Sequence, residues 1–172
     1  QLNSCTVGII GCGHIGKDLV KLLQPFECNI LAHDILDFPD FYEMHNVKPV
    51  SLNMLLRSSD VITLHLPLNK STYHLLSLER LHLIKHGAIL INLARGGLID
   101  EKVLKRMLQS GSISGLSLDV LEEEPDIDLD LVETENVFIT PHIGGSTQEA
   151  IIAMGMSAIE GLDKHKNSLQ FI

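Results

Sequence analysis

Thr6-Val7-Gly8-Ile9-Ile10 is a short β-rich apolar run that leads without a linker into Gly11-Cys12-Gly13-His14-Ile15-Gly16 and then into an amphipathic stretch. A strand, a tight turn and a helix in that order make the first half of a βαβ unit. Gly11 permits the turn, Gly13 lets the backbone approach a pyrophosphate, and Gly16 lets helix and strand pack closely. The glycine spacing alone is a weak signal; the strand before it and the helix after it give it weight. Backbone amides at the helix start, with the macrodipole behind them, supply local positive potential, so the net charge of −9 is no objection.

The same alternation runs through the whole chain. Apolar runs predict strands near 5–10, 28–33, 47–50, 60–65, 88–93, 113–119 and 137–140, and helical patterns fall near 14–24, 51–58, 77–85, 100–110 and 146–164. Pro25 follows the first helix, Ser51 can cap the second, Gly87 follows the third, Asp100 can cap the fourth and Gly111 stops it. The strands are continuously apolar rather than alternating, which predicts burial on both faces. The expected fold class is α/β: a doubly wound, Rossmann-type, mostly parallel sheet of about seven strands, forming one domain over 1–172.

The second strand ends at Asp34, 18 positions after Gly16, where a carboxylate can bind both ribose hydroxyls of an adenosine. A 2′-phosphate would meet that carboxylate, and the next residue, Ile35, offers no cationic replacement. The expected cofactor is therefore NAD rather than NADP.

Several classes of function are disfavoured. The 13 Lys and Arg are scattered, with no footprint for nucleic acid. The longest nearly unbroken apolar stretch, 150–159, is too short to span a bilayer, which with the missing leader predicts a soluble, cytoplasmic protein. Cys5, Cys12 and Cys28 are odd in number and show no Cys-x-x-Cys spacing, so reduced thiols are expected. Cys12, in the glycine turn, is the one candidate for a stabilised thiolate, with a plain small loop residue as the alternative. His82 and His86 stand four apart on a predicted helix, but no third ligand accompanies them and no metal is expected. His33, His45, His65, His74 and His165 read as strand-end, loop or surface residues, and Glu122 and Glu123 as part of a solvated acidic loop. The final helix, with Ile151, Ile152, Met154, Met156 and Ile159, is apolar on too many sides for a surface helix and is expected to pack on something beyond this core. Residue 1 is Gln and a strand follows almost at once, so the chain reads as a piece of something longer.

Three polar residues stand just beyond apolar runs: Arg95 after Ile89 to Ala94, Glu124 after Leu116 to Val120, and His142 after Val137 to Pro141. In an open parallel sheet the carboxyl ends of the strands border the ligand crevice. A cation, a carboxylate and an imidazole delivered there could form an anion clamp and a tuned proton carrier.

Asn92-Leu93-Ala94-Arg95-Gly96-Gly97-Leu98-Ile99-Asp100, Leu118-Asp119-Val120-Leu121-Glu122-Glu123-Glu124-Pro125 and Thr140-Pro141-His142-Ile143-Gly144-Gly145-Ser146-Thr147 resemble the signatures of the D-isomer-specific 2-hydroxyacid dehydrogenases. With the glycine turn they cover nearly the whole chain. The last segment and Gly13-His14-Ile15-Gly16 are most similar to the phosphoglycerate dehydrogenase branch. The resemblance implies that Arg95 holds the substrate carboxylate and polarises the 2-keto oxygen, that His142 carries the proton, and that Glu124 orients the imidazole. It further implies that Asp119 faces the nicotinamide carboxamide, and that Leu66, Pro67, Leu93, Ala94, Arg95 and His142 through Gly144 and Gly145 line NAD beside Gly11, Gly13, His14, Ile15, Gly16 and Asp34. The substrate implied is a small 2-keto or 2-hydroxy acid.

Asn69 departs from the family pattern, which often has Thr there. A larger departure is that the second, substrate-binding lid domain of the family is absent from this chain. Family likeness also implies a homodimer formed through this domain, with the final helix and the 97–112 region compatible with it. Two other readings stand beside the enzyme: an NAD(H)-responsive binding module like the family's corepressors, and a purely structural Rossmann domain.

Overall fold

Seven parallel strands form one sheet in the computed structural model, in the order β3-β2-β1-β4-β5-β6-β7. They are β1 (Thr6–Ile10), β2 (Asn29–His33), β3 (Val47–Pro49), β4 (Val61–Leu64), β5 (Ala88–Asn92), β6 (Ile113–Leu118) and β7 (Val137–Ile139). Each falls where the apolar runs placed it. The helices are α1 (His14–Leu23), α2 (Pro39–Met44), α3 (Leu52–Ser58), α4 (Leu78–Leu81), α5 (Glu101–Gln109), α6 (Leu129–Val132) and α7 (Gln148–Asp163). The structure describes residues 1–124 and 129–163; His165 and Pro125 to Asp128 of the acidic loop lie outside them. The chain forms two compact units, Gln1–Thr140, which holds the sheet, and a second beginning at Pro141, which holds α7.

The caps act as the sequence suggests. Ser51 Oγ accepts the Met54 amide at 3.3 Å and Asp100 Oδ1 accepts the Val103 amide at 3.2 Å. Gly87 and Gly111 adopt the left-handed conformation, at φ +80° and +73°. Three helices differ from expectation. The 77–85 pattern shortens to α4, whose N-cap residue Ser77 donates its hydroxyl to Glu79 Oε2 at 2.6 Å. Leu83 and Ile84 then bond three residues back, to Arg80 and Leu81, which tightens the chain into turns. His82 and His86 consequently share no helix face. The short helices α2 and α6 span too few turns to show periodicity, and are held by buried Tyr42 and Leu131.

Two cores lie on opposite faces of the sheet. On one, Ile10, Ile62, Leu64, Leu90, Leu116 and Leu118 pack against Leu55 and Leu56 of α3, Leu81 of α4 and Leu104 of α5. On the other, Val7, Ile9, Ile30 and Ala32 meet Val20 and Leu23 of α1 and Tyr42 of α2. The expectation of burial on both faces holds for β1 and fails for β5 to β7. There Ile89 is 41% exposed and Phe138 66% exposed, because within Gln1–Thr140 the described helices of the second face, α1 and α2, cover only the β1–β3 side.

At the opposite end of the sheet from the turn, Asp60 ties three segments. Its Oδ2 accepts the Thr6 amide at 2.8 Å and its Oδ1 accepts Lys85 Nζ at 2.6 Å, and these bonds hold its carboxyl below the ordinary carboxylate value. A carboxyl lowered on folding stabilises the fold above its unfolded pKa, about 3.9, and that contribution is lost as pH falls through the lower folded value. Asp60→Asn is expected to cost up to about 1 kcal/mol at pH 7, the solvent exposure of the pair keeping it modest. Urea unfolding should show the difference from the parent shrinking as pH is taken down to about 3.

Candidate active site

The strand order reverses between β1 and β4, and the glycine turn sits at the carboxyl end of β1 beside that switch point. Each glycine has a separate physical reason. Gly11 is left-handed, at φ +95°, and a Cβ there would stand 2.6 Å from the His65 carbonyl oxygen at the end of β4. A Cβ on Gly16 would lie 2.2 Å from the Gly11 carbonyl oxygen, so α1 packs directly on the turn. Gly13 is the opposite case: a Cβ would meet nothing within 4 Å, which leaves open space beside the backbone where the sequence places a pyrophosphate. Gly13, His14 and Ile15 are exposed at the start of the ten-residue helix α1, whose first amides have no partner within the helix. These residues fit a dinucleotide.

Asp34 follows β2 and reaches the same turn. Its Oδ2 accepts the Cys12 amide at 2.6 Å and its Oδ1 accepts the Leu36 amide at 2.9 Å. A carboxylate can accept about four hydrogen bonds, so this brace leaves acceptor capacity for ribose hydroxyls. Ile35 beside it is 97% exposed and brings no cation. The thiolate considered for Cys12 does not hold, since the side chain is fully buried and burial pushes its thiol above the ordinary value. Across the switch point, a Cβ on Gly11 would also meet Leu66 Cδ2 at 2.8 Å, which places Leu66 and then Pro67 next to the turn. His65, whose Nε2 lies 3.1 Å from Thr63 Oγ1, is held by burial below its ordinary value.

Beyond β5, Asn92 shapes the loop that presents Arg95. It is buried, and its Nδ2 donates to the Arg95 carbonyl at 2.9 Å while its Oδ1 accepts the Ala94 amide at 3.1 Å. Sequence reasoning passed over this residue, although an Asn directly after an apolar strand is a turn signal. Leu93 and Arg95 are exposed, and the Arg95 guanidinium donates to the neighbouring Ala94 carbonyl. Among the described residues it forms no ion pair with a carboxylate. Beyond β6, Asp119 is buried, accepts a hydrogen bond from Thr140 Oγ1, and its amide donates to the Asn92 carbonyl at 3.0 Å. Glu124 is exposed, and its Oε1 accepts the Leu121 amide at 2.8 Å.

His142, Gly144 and Gly145 belong to the second unit. His142 is exposed and left-handed, at φ +54°, a conformation uncommon for a residue with a side chain. The Ser146 amide closes a turn onto the Ile143 carbonyl at 3.0 Å, and Thr147 Oγ1 accepts the Ala150 amide at 3.1 Å as the cap of α7.

The sequence model of the D-isomer specific 2-hydroxyacid dehydrogenase NAD binding domain matches residues 1–144. The chain belongs to this family. It is 42% identical over 165 residues to D-3-phosphoglycerate dehydrogenase of Methanocaldococcus jannaschii, covering 95% of this chain and 32% of that protein. With glyoxylate reductase of Thermococcus litoralis it shares 41% over 149 residues, or 87% of this chain and 45% of the relative. The structure of a glyoxylate reductase from Paecilomyes thermophila superposes with a TM-score of 0.88 at 36% identity, over 95% of this chain and 50% of that one. D-lactate dehydrogenase from Aquifex aeolicus, crystallised with NAD and lactic acid, superposes at 0.85 and 34% identity, over 95% of this chain and 55% of that one. The chain thus spans about a third to a half of the relatives it matches. As a 2-hydroxyacid dehydrogenase NAD-binding domain, it has the Rossmann-type fold and the cofactor class that its glycine turn and Asp34 indicated.

Proposed function

We propose that this chain is the nucleotide-binding part of an NAD-dependent oxidoreductase acting at C2 of a small 2-keto or 2-hydroxy acid. The observation that carries the reading is Arg95: an exposed guanidinium without an ion pair among the described residues, at the carboxyl end of a strand two places from the glycine turn. A planar, permanently charged fork suits a substrate carboxylate and its adjacent 2-keto oxygen. Bound NAD supplies the hydride chemistry. Gly13, His14 and Ile15 would hold its diphosphate, Asp34 its ribose, and Asp119 its carboxamide, with Leu66, Pro67, Leu93, Ala94, Gly144 and Gly145 beside it. His142 would donate a proton to the 2-keto oxygen in reduction and take it from the 2-hydroxyl in oxidation. Glu124 would accept from the other imidazole nitrogen, selecting the tautomer and favouring the protonated ring.

The relatives named are dehydrogenases and reductases, which leaves the corepressor-like module without support. Free thiols at Cys5, Cys12 and Cys28 suit a reducing cytoplasmic setting, and no described helix is long and apolar enough to cross a membrane. Large exposed apolar side chains on α7, Ile152 and Met154 among them, are in keeping with a homodimer.

The test is a screen of the full-length protein against glyoxylate, hydroxypyruvate and pyruvate with NADH; absence of turnover with all three and with larger 2-keto acids would overturn the reading. Coenzyme choice tests Asp34 separately. NADH is expected to bind the isolated chain at least ten-fold more tightly than NADPH in a fluorescence titration, and Asp34→Ala is expected to erase most of that difference.

A further inference from the structure

Three loops leave the carboxyl ends of β4, β5 and β6, and one acidic side chain joins them. Glu122 Oε1 accepts the Tyr73 hydroxyl at 2.9 Å and lies 2.8 Å from His74 Nε2. A carboxylate only accepts, so this imidazole nitrogen carries its hydrogen. The Tyr73 and His74 rings stack at 4.0 Å with 15° between their planes, and the Glu122 bond raises the Tyr73 hydroxyl above its ordinary value. His74 also spends its backbone on the cluster: its amide donates to the Gly97 carbonyl at 2.8 Å, and it sits in the left-handed region at φ +46°. The Glu122 amide donates to Glu101 Oε1, at 2.7 Å, in the first turn of α5. Gly96, next to Arg95, is pressed on the same spot, since a Cβ there would stand 2.0 Å from the Leu121 carbonyl carbon and 2.3 Å from the Glu122 nitrogen.

From this juxtaposition we infer that Glu122 is a positioning residue, whose carboxylate clasps Tyr73 and His74 and so fixes the loop bearing Glu124 against the loop bearing Arg95. The inference rests on the dehydrogenase reading for its kinetic consequence, but not for the clasp itself. Side chains of His74 and Glu122 are 27% and 26% exposed, so the pair is partly screened and its effect is on loop order more than on global stability. A left-handed His74 would relax once its ring partner is gone, and the Gly97 carbonyl would lose its donor. The Arg95 fork, two residues away, would then sample more positions. A misplacement of this kind weakens substrate binding and turnover without touching the nucleotide turn.

The experiment compares Glu122→Ala and Glu122→Gln in the full-length enzyme, with glyoxylate or hydroxypyruvate and NADH. Gln keeps an oxygen that can accept both hydrogen bonds, so it serves as the conservative rescue. Glu122→Ala is expected to raise KM for the 2-keto acid at least ten-fold and to leave KM for NADH within two-fold, with Glu122→Gln recovering most of the loss. Kinetic constants within two-fold of the parent for Glu122→Ala, or equal losses for both coenzyme and substrate that Gln does not rescue, would overturn the inference. Hydrogen exchange on the same proteins separates the clasp from the reaction. Peptides spanning 70–76 and 93–99 should exchange at least ten-fold faster in Glu122→Ala than in Glu122→Gln, whether or not any 2-keto acid is turned over. Equal exchange in the two variants overturns the clasp even in an active enzyme.

Discussion

His142→Ala in the full-length protein is expected, on the proposed dehydrogenase function, to lower kcat by roughly 10²–10⁴, about 3–5 kcal/mol of barrier, while NADH binding stays within about two-fold. The size follows from the proton. Hydride arrival at C2 builds negative charge on the oxygen, and without an adjacent acid that charge must be neutralised by water. NADH binding is expected to be spared because the contacts proposed for its diphosphate and ribose, at Gly13 to Ile15 and Asp34, are remote in sequence from His142. His142 is left-handed, so Ala adds a backbone penalty of its own, and a second variant removes that ambiguity. Asn tolerates the left-handed region and cannot carry a proton at neutral pH, so His142→Asn should be as inactive as Ala with less change in stability. Steady-state rates and NADH fluorescence measure both quantities. Turnover within ten-fold of the parent in both variants would remove His142 from the mechanism.

The second large effect separates two glycines of one motif. Gly16→Ala sets a Cβ 2.2 Å from the Gly11 carbonyl oxygen and 3.1 Å from its carbon, both backbone atoms that cannot swing aside. Overpacking of this kind costs about 1–3 kcal/mol, and here the upper end is expected because the turn must move. NADH affinity should fall with it, since the shifted turn carries the amides proposed to meet the diphosphate. Gly13→Ala adds the same methyl group where nothing lies within 4 Å, with the backbone at φ −72° and ψ −149°. Its stability should change by less than about 1 kcal/mol, yet NADH binding should weaken at least ten-fold, because the methyl occupies the backbone approach of the diphosphate. Urea unfolding and NADH titration of the isolated chain decide the matter. Two variants with the same balance of stability and affinity losses would contradict these assignments.

Local roles were legible in the sequence where one residue serves one purpose among its near neighbours. Ser51, Asp100 and Gly111 act through their own backbone neighbourhood, and all three behave as read. Gly11, left-handed at the turn, and Gly16, packed directly on it, were also read correctly. Illegible were residues whose partners lie far along the chain. Glu122 looks like one of two solvated acids before Glu124, and His74 like a loop residue, until a chain separation of 48 residues is closed by the fold. Asn92 reads as the end of a strand, and only burial shows its side chain shaping the Arg95 loop. Burial was misjudged at Ile89 and Phe138 for a related reason. An apolar run reports that a strand forms, whereas a covered face needs a helix delivered from elsewhere.

The succession of strands along the chain, five of the seven described helices, the glycine turn and the acidic residue at the end of β2 were therefore determined by the sequence alone, because periodicity, capping and glycine geometry act over a few residues and leave their mark in order, and the family followed from the resemblance of its motifs. Tertiary structure alone decided the strand order with its switch point, the closure of the Cys12 thiol, the Asp34 brace on the turn and the Glu122 clasp. These depend on which distant segments the parallel crossovers bring into register, and hydrogen bonds and burial are set by that proximity in space.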